Sequence, residues 1–201
     1  MDPDTDGDLI GDACDPQMGP IDHLALFNGF YYPVTINGWT ATSGTWTLYS
    51  NALHQDAPAP GDRMFAPPTL YNRIAVATSF VVGASGPNRA IGFCSGFVTG
   101  AQQYCCTVQD KSGGGQEVVS TSVYPTYANQ TKVAWTGTFN VGDRIALVQN
   151  PANGNKCEAT QGVVDVVATD SIGPSTAGKL EFFTSSTTAA YDYVHIVELA
   201  N

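Results

Sequence analysis

From residue 40 onward the chain is a train of short segments in which apolar and polar residues alternate: TWTLYS, ALHQ, NRIAVATSFVVG, NRAIGFCSGFV, QYCCTVQD, QEVVSTSVY, TKVAWTGTFNV, DRIALVQN, NKCEAT, VVDVVATD, GKLEFFTSS and YDYVHIVEL. Each is punctuated by Gly, Pro, Asn or Asp. A period of two with such punctuation is the signature of β-strands, and no window carries the 3.6-residue period of an amphipathic helix. A dozen or so strands exceed what one open twisted sheet usually holds, so the pattern predicts an all-β domain of two packed antiparallel sheets. The composition agrees, with only 13% charged residues among 201 and with 21 glycines.

The stretch NGWTATSGTWTLYSNALHQ sharpens this expectation. Trp39 and Trp46 stand seven residues apart, and a turn at Ser50-Asn51 separates the strand bearing Trp46 from a short strand ALHQ. WTATSGTWTLYSNAL resembles the opening of the laminin-G-like, or concanavalin A-like, jelly-roll domains, with Asn51-Ala52-Leu53 in place of the usual Gly-x-Leu. The Ala90–Phe93 strand, DRIALV, and the closing GKLEFFTSSTTAAYDYVHIVEL also resemble that family. The resemblance spans roughly residues 20–201 and implies a two-sheet jelly-roll sandwich, with Trp39 and Trp46 as core residues.

The first fifteen residues differ in kind. They hold six of the eighteen acidic residues and no basic one, so the net charge of −10 falls to about −4 without them. Read from Asp4, the spacing D-x-D-x-D-x-x-x-D-x-x-D puts carboxylates at positions 1, 3, 5, 9 and 12 of a twelve-residue loop. These are Asp4, Asp6, Asp8, Asp12 and Asp15, with the Ile10 carbonyl at position 7. Calcium takes six to eight hard oxygen ligands, which alternating Asp side chains on a coiled backbone supply, whereas magnesium demands a small, well-hydrated octahedron. DTDGDLIGDACD resembles the thrombospondin type 3 repeat, which implies calcium as cofactor and those residues as its ligands. Leu9 departs from that repeat, which has Gly there for a sharp turn. The expected organisation is therefore a partial calcium-binding repeat over 1–16 and a jelly roll over 17–201, with Asp2 a remnant of a preceding site in a longer array.

Five cysteines, Cys14, Cys94, Cys105, Cys106 and Cys157, lack the spacing of a zinc site. Disulfides in an oxidising compartment are the expectation for Cys94, Cys105, Cys106 and Cys157, with Cys94 and the Cys105-Cys106 pair on two arms of one hairpin and the connectivity open. In a regular strand Cys105 and Cys106 point to opposite faces. The repeat resemblance implies that Cys14 pairs with a neighbouring repeat and is the odd thiol here.

No basic patch exists for a phosphate backbone, and no apolar run approaches the ~20 residues of a membrane span, so neither nucleic acid nor membrane insertion is expected. Glucanases of the jelly-roll class carry a Glu-x-Asp-x-x-Glu strand that sets acid and base on one face, and this chain has none. Glu117 stands alone, and Asp165 and Asp170 fall on opposite faces. The expected function is a non-catalytic, secreted or cell-surface binding module, carbohydrate-binding or adhesive, whose partner is a glycan or an extracellular protein. The alternative is a structural self-assembly module, and a glycoside hydrolase comes third; the oligomeric state is left open. Among aromatics on or between strands (Tyr71, Tyr104, Tyr124, Tyr127, Trp135, Tyr191, Tyr193), the Pro-interrupted VYPTYANQTKVAW reads as a loop. Tyr104, Tyr124, Tyr127 and Trp135 are the predicted ligand-binding residues.

Overall fold

A computed structural model of the chain describes residues 3–8, 10–12, 15, 21–31, 36, 38–58, 62–97, 103–111, 116–124, 128–135, 139–151, 154–170 and 178–200. The described residues form β1 (His23–Asn28), β2 (Thr40–Ser43), β3 (Trp46–Tyr49), β4 (Ala52–Gln55), β5 (Asp62–Ala66), β6 (Ile74–Phe97), β7 (Gln103–Lys111), β8 (Gln116–Tyr124), β9 (Ala128–Ala134), β10 (Arg144–Asn150), β11 (Asn155–Gln161), β12 (Val164–Asp170) and β13 (Lys179–Glu198). Among them there is no helix, and hence none long and apolar enough to cross a membrane.

All pairings are antiparallel, and β6 and β13 lie beside each other in both layers of the sandwich. The first layer runs β12-β11-β10-β6-β13, with β4 and β1 sharing the far edge of β13 and β3 beyond β4. The second runs β9-β8-β7-β6-β13-β5-β2. The segments NRIAVATSFVVG and NRAIGFCSGFV, expected as two strands, are one strand of 24 residues, and GKLEFFTSS and YDYVHIVEL are one of 20. They fuse because the chain turns its corners inside the ladder. Asn88 (φ 60°) and Ser186 (φ 52°) adopt left-handed backbone, and the register slips between Ser185 and Ala189. Gly83 sits where a Cβ would collide with Thr188 Oγ1 and come within 2.9 Å of the Thr188 carbonyl, so glycine suits the close passage of β6 past β13 at that corner.

The hairpin expected from TWTLYSNALHQ is present as β3–β4. Ser50 and Asn51 both have positive φ (49° and 58°), the geometry of a type I′ turn that matches the strand twist. Trp46 and Trp39 pack against the core, stacked on Phe65 and Phe182 respectively. Tyr191, fully buried, donates its hydroxyl to the carbonyls of Gly92 (3.0 Å) and Phe183 (2.9 Å), and burial pushes that phenol's pKa far upward. A polar thread crosses the core as well. Ser95 Oγ donates to Gln149 Oε1 (2.8 Å), and Gln149 Nε2 donates to Asn155 Oδ1 (2.7 Å) and the Tyr104 carbonyl (3.2 Å).

Two disulfides form among the four cysteines singled out, and Cys14 lies outside the described residues. Cys94 and Cys105 are direct cross-strand partners on β6 and β7 and are bonded to each other. Cys106 points the other way, into the core, where it is bonded to Cys157 on β11 in the opposite layer. In the loop-entropy account, the bond closing 51 residues contributes about 4 kcal/mol and the one closing 11 about 3 kcal/mol. Paired replacement Cys106→Ser with Cys157→Ser is therefore expected to lower unfolding free energy more than Cys94→Ser with Cys105→Ser, as read from denaturant titration of each.

Candidate functional site

β1 explains where a site forms. Its sequence HLALF is apolar at consecutive positions, so only one side of the strand can face the core. Leu26 packs inward, while Leu24 and Phe27 point out and are 44% and 61% exposed. On neighbouring β13 the same alternation sends Val194 and Ile196 into the core and leaves Tyr193, His195 and Val197 outward. Phe27 stacks on Tyr193 (centroids 6.4 Å, planes 28°) and meets His195 edge-on at 6.2 Å. β10 and β11 extend this floor with Val148 and Asn150 and with Lys156 and Glu158.

The result is an open cleft of about 700 Å³ on the outer face of the first layer, apolar and aromatic on the β1–β13 side and carrying Asn150, Lys156 and Glu158 on the β10–β11 side. The N-terminal segment supplies one wall through Ile10, Gly11 and Asp15. That wall is fixed by burial, since Ile10 is 4% exposed and packs with Ala75, Val197 and Leu199. Its backbone coils by side-chain capping. Asp4 Oδ1 accepts the Gly7 N–H (2.8 Å), Asp6 Oδ1 the Asp8 N–H (3.3 Å) and Asp8 Oδ1 the Ile10 N–H (2.7 Å). Such turns converge the carboxylates, and one oxygen from each of Asp4, Asp6 and Asp8 falls within 4.8 Å of the others. Asp12 does not join that group; Thr5 donates to both its oxygens, from N (2.7 Å) and Oγ1 (2.8 Å). Asp15 is not one of the three converging carboxylates either and lines the cleft wall, Ile10 offers its buried side chain to the sheet, and Leu9 lies outside the described residues.

The three clustered carboxylates fit a hard cation. Asp6 Oδ2 is enclosed without a hydrogen-bond donor, and an all-oxygen set is what calcium takes. Asp22, which the spacing did not single out, belongs to the same neighbourhood. It is 3% exposed, and burial pushes its pKa up, helped by the charges of Asp15, Asp8 and Asp6 and opposed by the Ala200 N–H.

Two predicted ligand residues need correction. Trp135 is 4% exposed and sits in the core, because β9 delivers it inward at its end. Tyr104 is 7% exposed, because its neighbour Cys106 fixes the phase of β7 so that positions 104, 106 and 108 face inward. Tyr124 pairs through its backbone with Gln103, its side chain being outside the described set, and Tyr127 lies outside the described residues. Tyr71 and Tyr191 are likewise buried. Of the aromatics considered, Tyr193 reaches the cleft. Phe27 was missed, and the unbroken apolar run of HLALF was the available signal.

No family model and no curated protein matches the chain. Solved structures do. The carbohydrate-binding module CBM66 from Bacillus subtilis aligns at 15% identity, TM-score 0.57, over 77% of this chain and 92% of that one. The CBM2 module of the Lactobacillus casei BL23 phage J-1 evolved Dit aligns at 9%, TM-score 0.61, over 90% and 98%. A prokaryotic β-1,3-1,4-glucanase (lichenase) derived from a mouse hindgut metagenome aligns at 13%, TM-score 0.58, over 87% and 99%. The chain has a jelly-roll fold. Modules that bind carbohydrate and enzymes that act on it share this fold, so the likeness itself does not divide binding from catalysis.

Burial holds the pKa of His195 below the ordinary histidine value of 6.5, and that of His54 too, where Asp56 opposes the shift. The unfolded chain thus takes up protons first as pH falls through 6.5. Stability from these groups is complete above that value and declines below it. Melting temperature is expected to fall between pH 7 and pH 5 less steeply in His195→Gln than in the parent, a difference that thermal denaturation at the two pH values measures.

Proposed function

We propose that the chain is an extracellular, non-catalytic glycan-binding module that lays sugar rings on the Phe27–Tyr193 platform. The observation that carries this reading is Phe27 itself, a large ring 61% exposed, stacked on a second aromatic and set in a cleft with polar side chains on its β10–β11 side. A flat apolar face suits the C–H side of a pyranose, while Asn150, Lys156 and Glu158 stand where hydroxyl groups would need partners. Two disulfides support an oxidising compartment, and the carbohydrate-binding modules among the structural neighbours support the ligand class.

The non-catalytic part rests on the carboxylates. Glycoside hydrolysis asks for two carboxyl groups facing one bond across a fixed gap. No described strand presents two carboxylates along one face. In the cleft, Glu158 is bound by the Lys156 ammonium, and Asp15 comes from the N-terminal segment rather than from a strand. On the outer face of the second layer the carboxylate among the described side chains is Glu181, which is 2% exposed.

Phe27→Ala is expected to weaken binding of a glycan identified on an array about tenfold or more, with the melting temperature held, since the ring is exposed. An array without hits, or a glycan bound equally by Phe27→Ala, overturns the assignment. Release of reducing ends from that glycan, lost in Glu158→Gln, would replace it with catalysis.

A further inference from the structure

A second aromatic stack stands on the same outer face, on the β3–β4 hairpin. Leu48 and Leu53 pack against the core, so alternation turns Tyr49 on β3 and His54 on β4 outward. Their rings lie face to face, with centroids 3.6 Å apart and planes at 13°. Tyr49 donates its hydroxyl to Asp56 Oδ1 (3.2 Å) and Thr47 donates to Asp56 Oδ2 (3.2 Å), so the phenol is held over the imidazole while remaining 46% exposed.

β13 connects this stack to the Phe27–Tyr193 platform. Tyr191 points into the core, and strict alternation would send Tyr193 the same way. The register slips between Tyr191 and Tyr193, a β-bulge at Asp192 that turns both Asp192 and Tyr193 to the outer face. There Ser79 Oγ (3.0 Å) and Arg144 Nε (2.9 Å) donate to Asp192 Oδ2. His54 lies opposite Ala190 and Phe27 opposite His195, on strands that share one edge of β13. At ~3.3 Å per residue, the interval from Ala190 to His195 sets the two platforms roughly 15 Å apart along the strand.

We propose that the Tyr49–His54 stack is a second sugar-binding platform of the same site, so that the ligand is an uncharged linear oligosaccharide lying along β13. A pyranose in an extended chain advances about 5 Å, so a gap of roughly 15 Å matches sugars three places apart and a ligand of about four units or more. Asp192 and Arg144 stand on the outer face between the platforms, and Asp56 stands beside the second, where ring hydroxyls need partners. Arg144 and Lys156 are each held by a carboxylate, Asp192 and Glu158 respectively, so a uronate or sulfate gains either cation only by displacing one of them. The proposal rests on the glycan reading of the Phe27 platform.

The test is calorimetric titration of the parent, Phe27→Ala, Tyr49→Ala and Tyr49→Phe with neutral gluco-, manno-, xylo- and N-acetylglucosamine oligosaccharides, from the disaccharide to the hexasaccharide. In the parent, affinity for one series is expected to rise about tenfold or more between the disaccharide and the pentasaccharide. Phe27→Ala weakens binding at every length. Tyr49→Ala binds the disaccharide as the parent does, which also shows it to be folded, and loses the rise with length; Tyr49→Phe keeps the ring and retains the rise. Parental affinity of Tyr49→Ala for the pentasaccharide overturns the second platform and leaves the first standing. Parental affinity of Phe27→Ala at every length removes the first platform and the proposal with it. Loss in Tyr49→Phe equal to that in Tyr49→Ala overturns stacking as the role of the ring. A parent that binds no neutral series at millimolar concentration, or binds oligogalacturonate more tightly than all of them, overturns the ligand class.

Discussion

The antiparallel ladder between β6 and β13 is the constraint on which the rest of the molecule depends. It runs from Glu198 opposite Ile74 to Lys179 opposite Phe97, and it turns from one layer into the other through a register slip between Ser185 and Ala189. Every other strand finds its place by pairing outward from one of these two. Because a shift of one residue would exchange inside for outside, the ladder also sets which side chains make the core and which make the cleft. Phe80, Phe93, Phe182 and Tyr191 fill the interior from these strands, while Tyr193 and His195 leave it on the same strand's other face.

Much of this was legible in the sequence. Alternation marked the strands, a Ser-Asn pair marked the β3–β4 turn, and consecutive cysteines announced that one would enter the core and one would not. What could not be read was phase and continuity. In YCC all three side chains tolerate either face, and only the partner chosen by Cys106, on a strand of the opposite layer, decides that Tyr104 turns inward. The corners of β6 and β13 are equally silent, because Asn88 and Ser186 turn the chain and pairing between the same two strands resumes on the far side of the bend. Turn-forming residues in sequence usually mean an interruption, and here they mean a bend within one strand.

The site shows the same division between local and tertiary information. The acidic spacing drew attention to Asp4, Asp6 and Asp8, whose carboxylates are brought near one another by turns built from neighbouring residues. Asp22 was invisible because nothing in PIDHLAL distinguishes it; its importance arises only when Ala200 arrives from the far end of the chain. Phe27 needed knowledge of which face β1 would bury. Strand sequences that are apolar on both sides in a two-layer protein call for an account of the outer face, and here that account is a cleft.

The meeting of Asp8, Asp22 and Ala200 has a mechanical consequence. β1 and β13 are antiparallel, with His23 opposite Glu198, so the polypeptide enters and leaves the domain at the same end of this strand pair. Tension between the flanking segments would not slide the two strands along each other, which loads all their hydrogen bonds together. It would peel them apart from that end, one bond at a time, beginning with the Asp22 to Ala200 contact. The resistance of this strand pair to being peeled open therefore begins with the Asp22 hydrogen bonds to Asp8 and Ala200 and the Ile10 packing beside them, and not with the sum of the ladder.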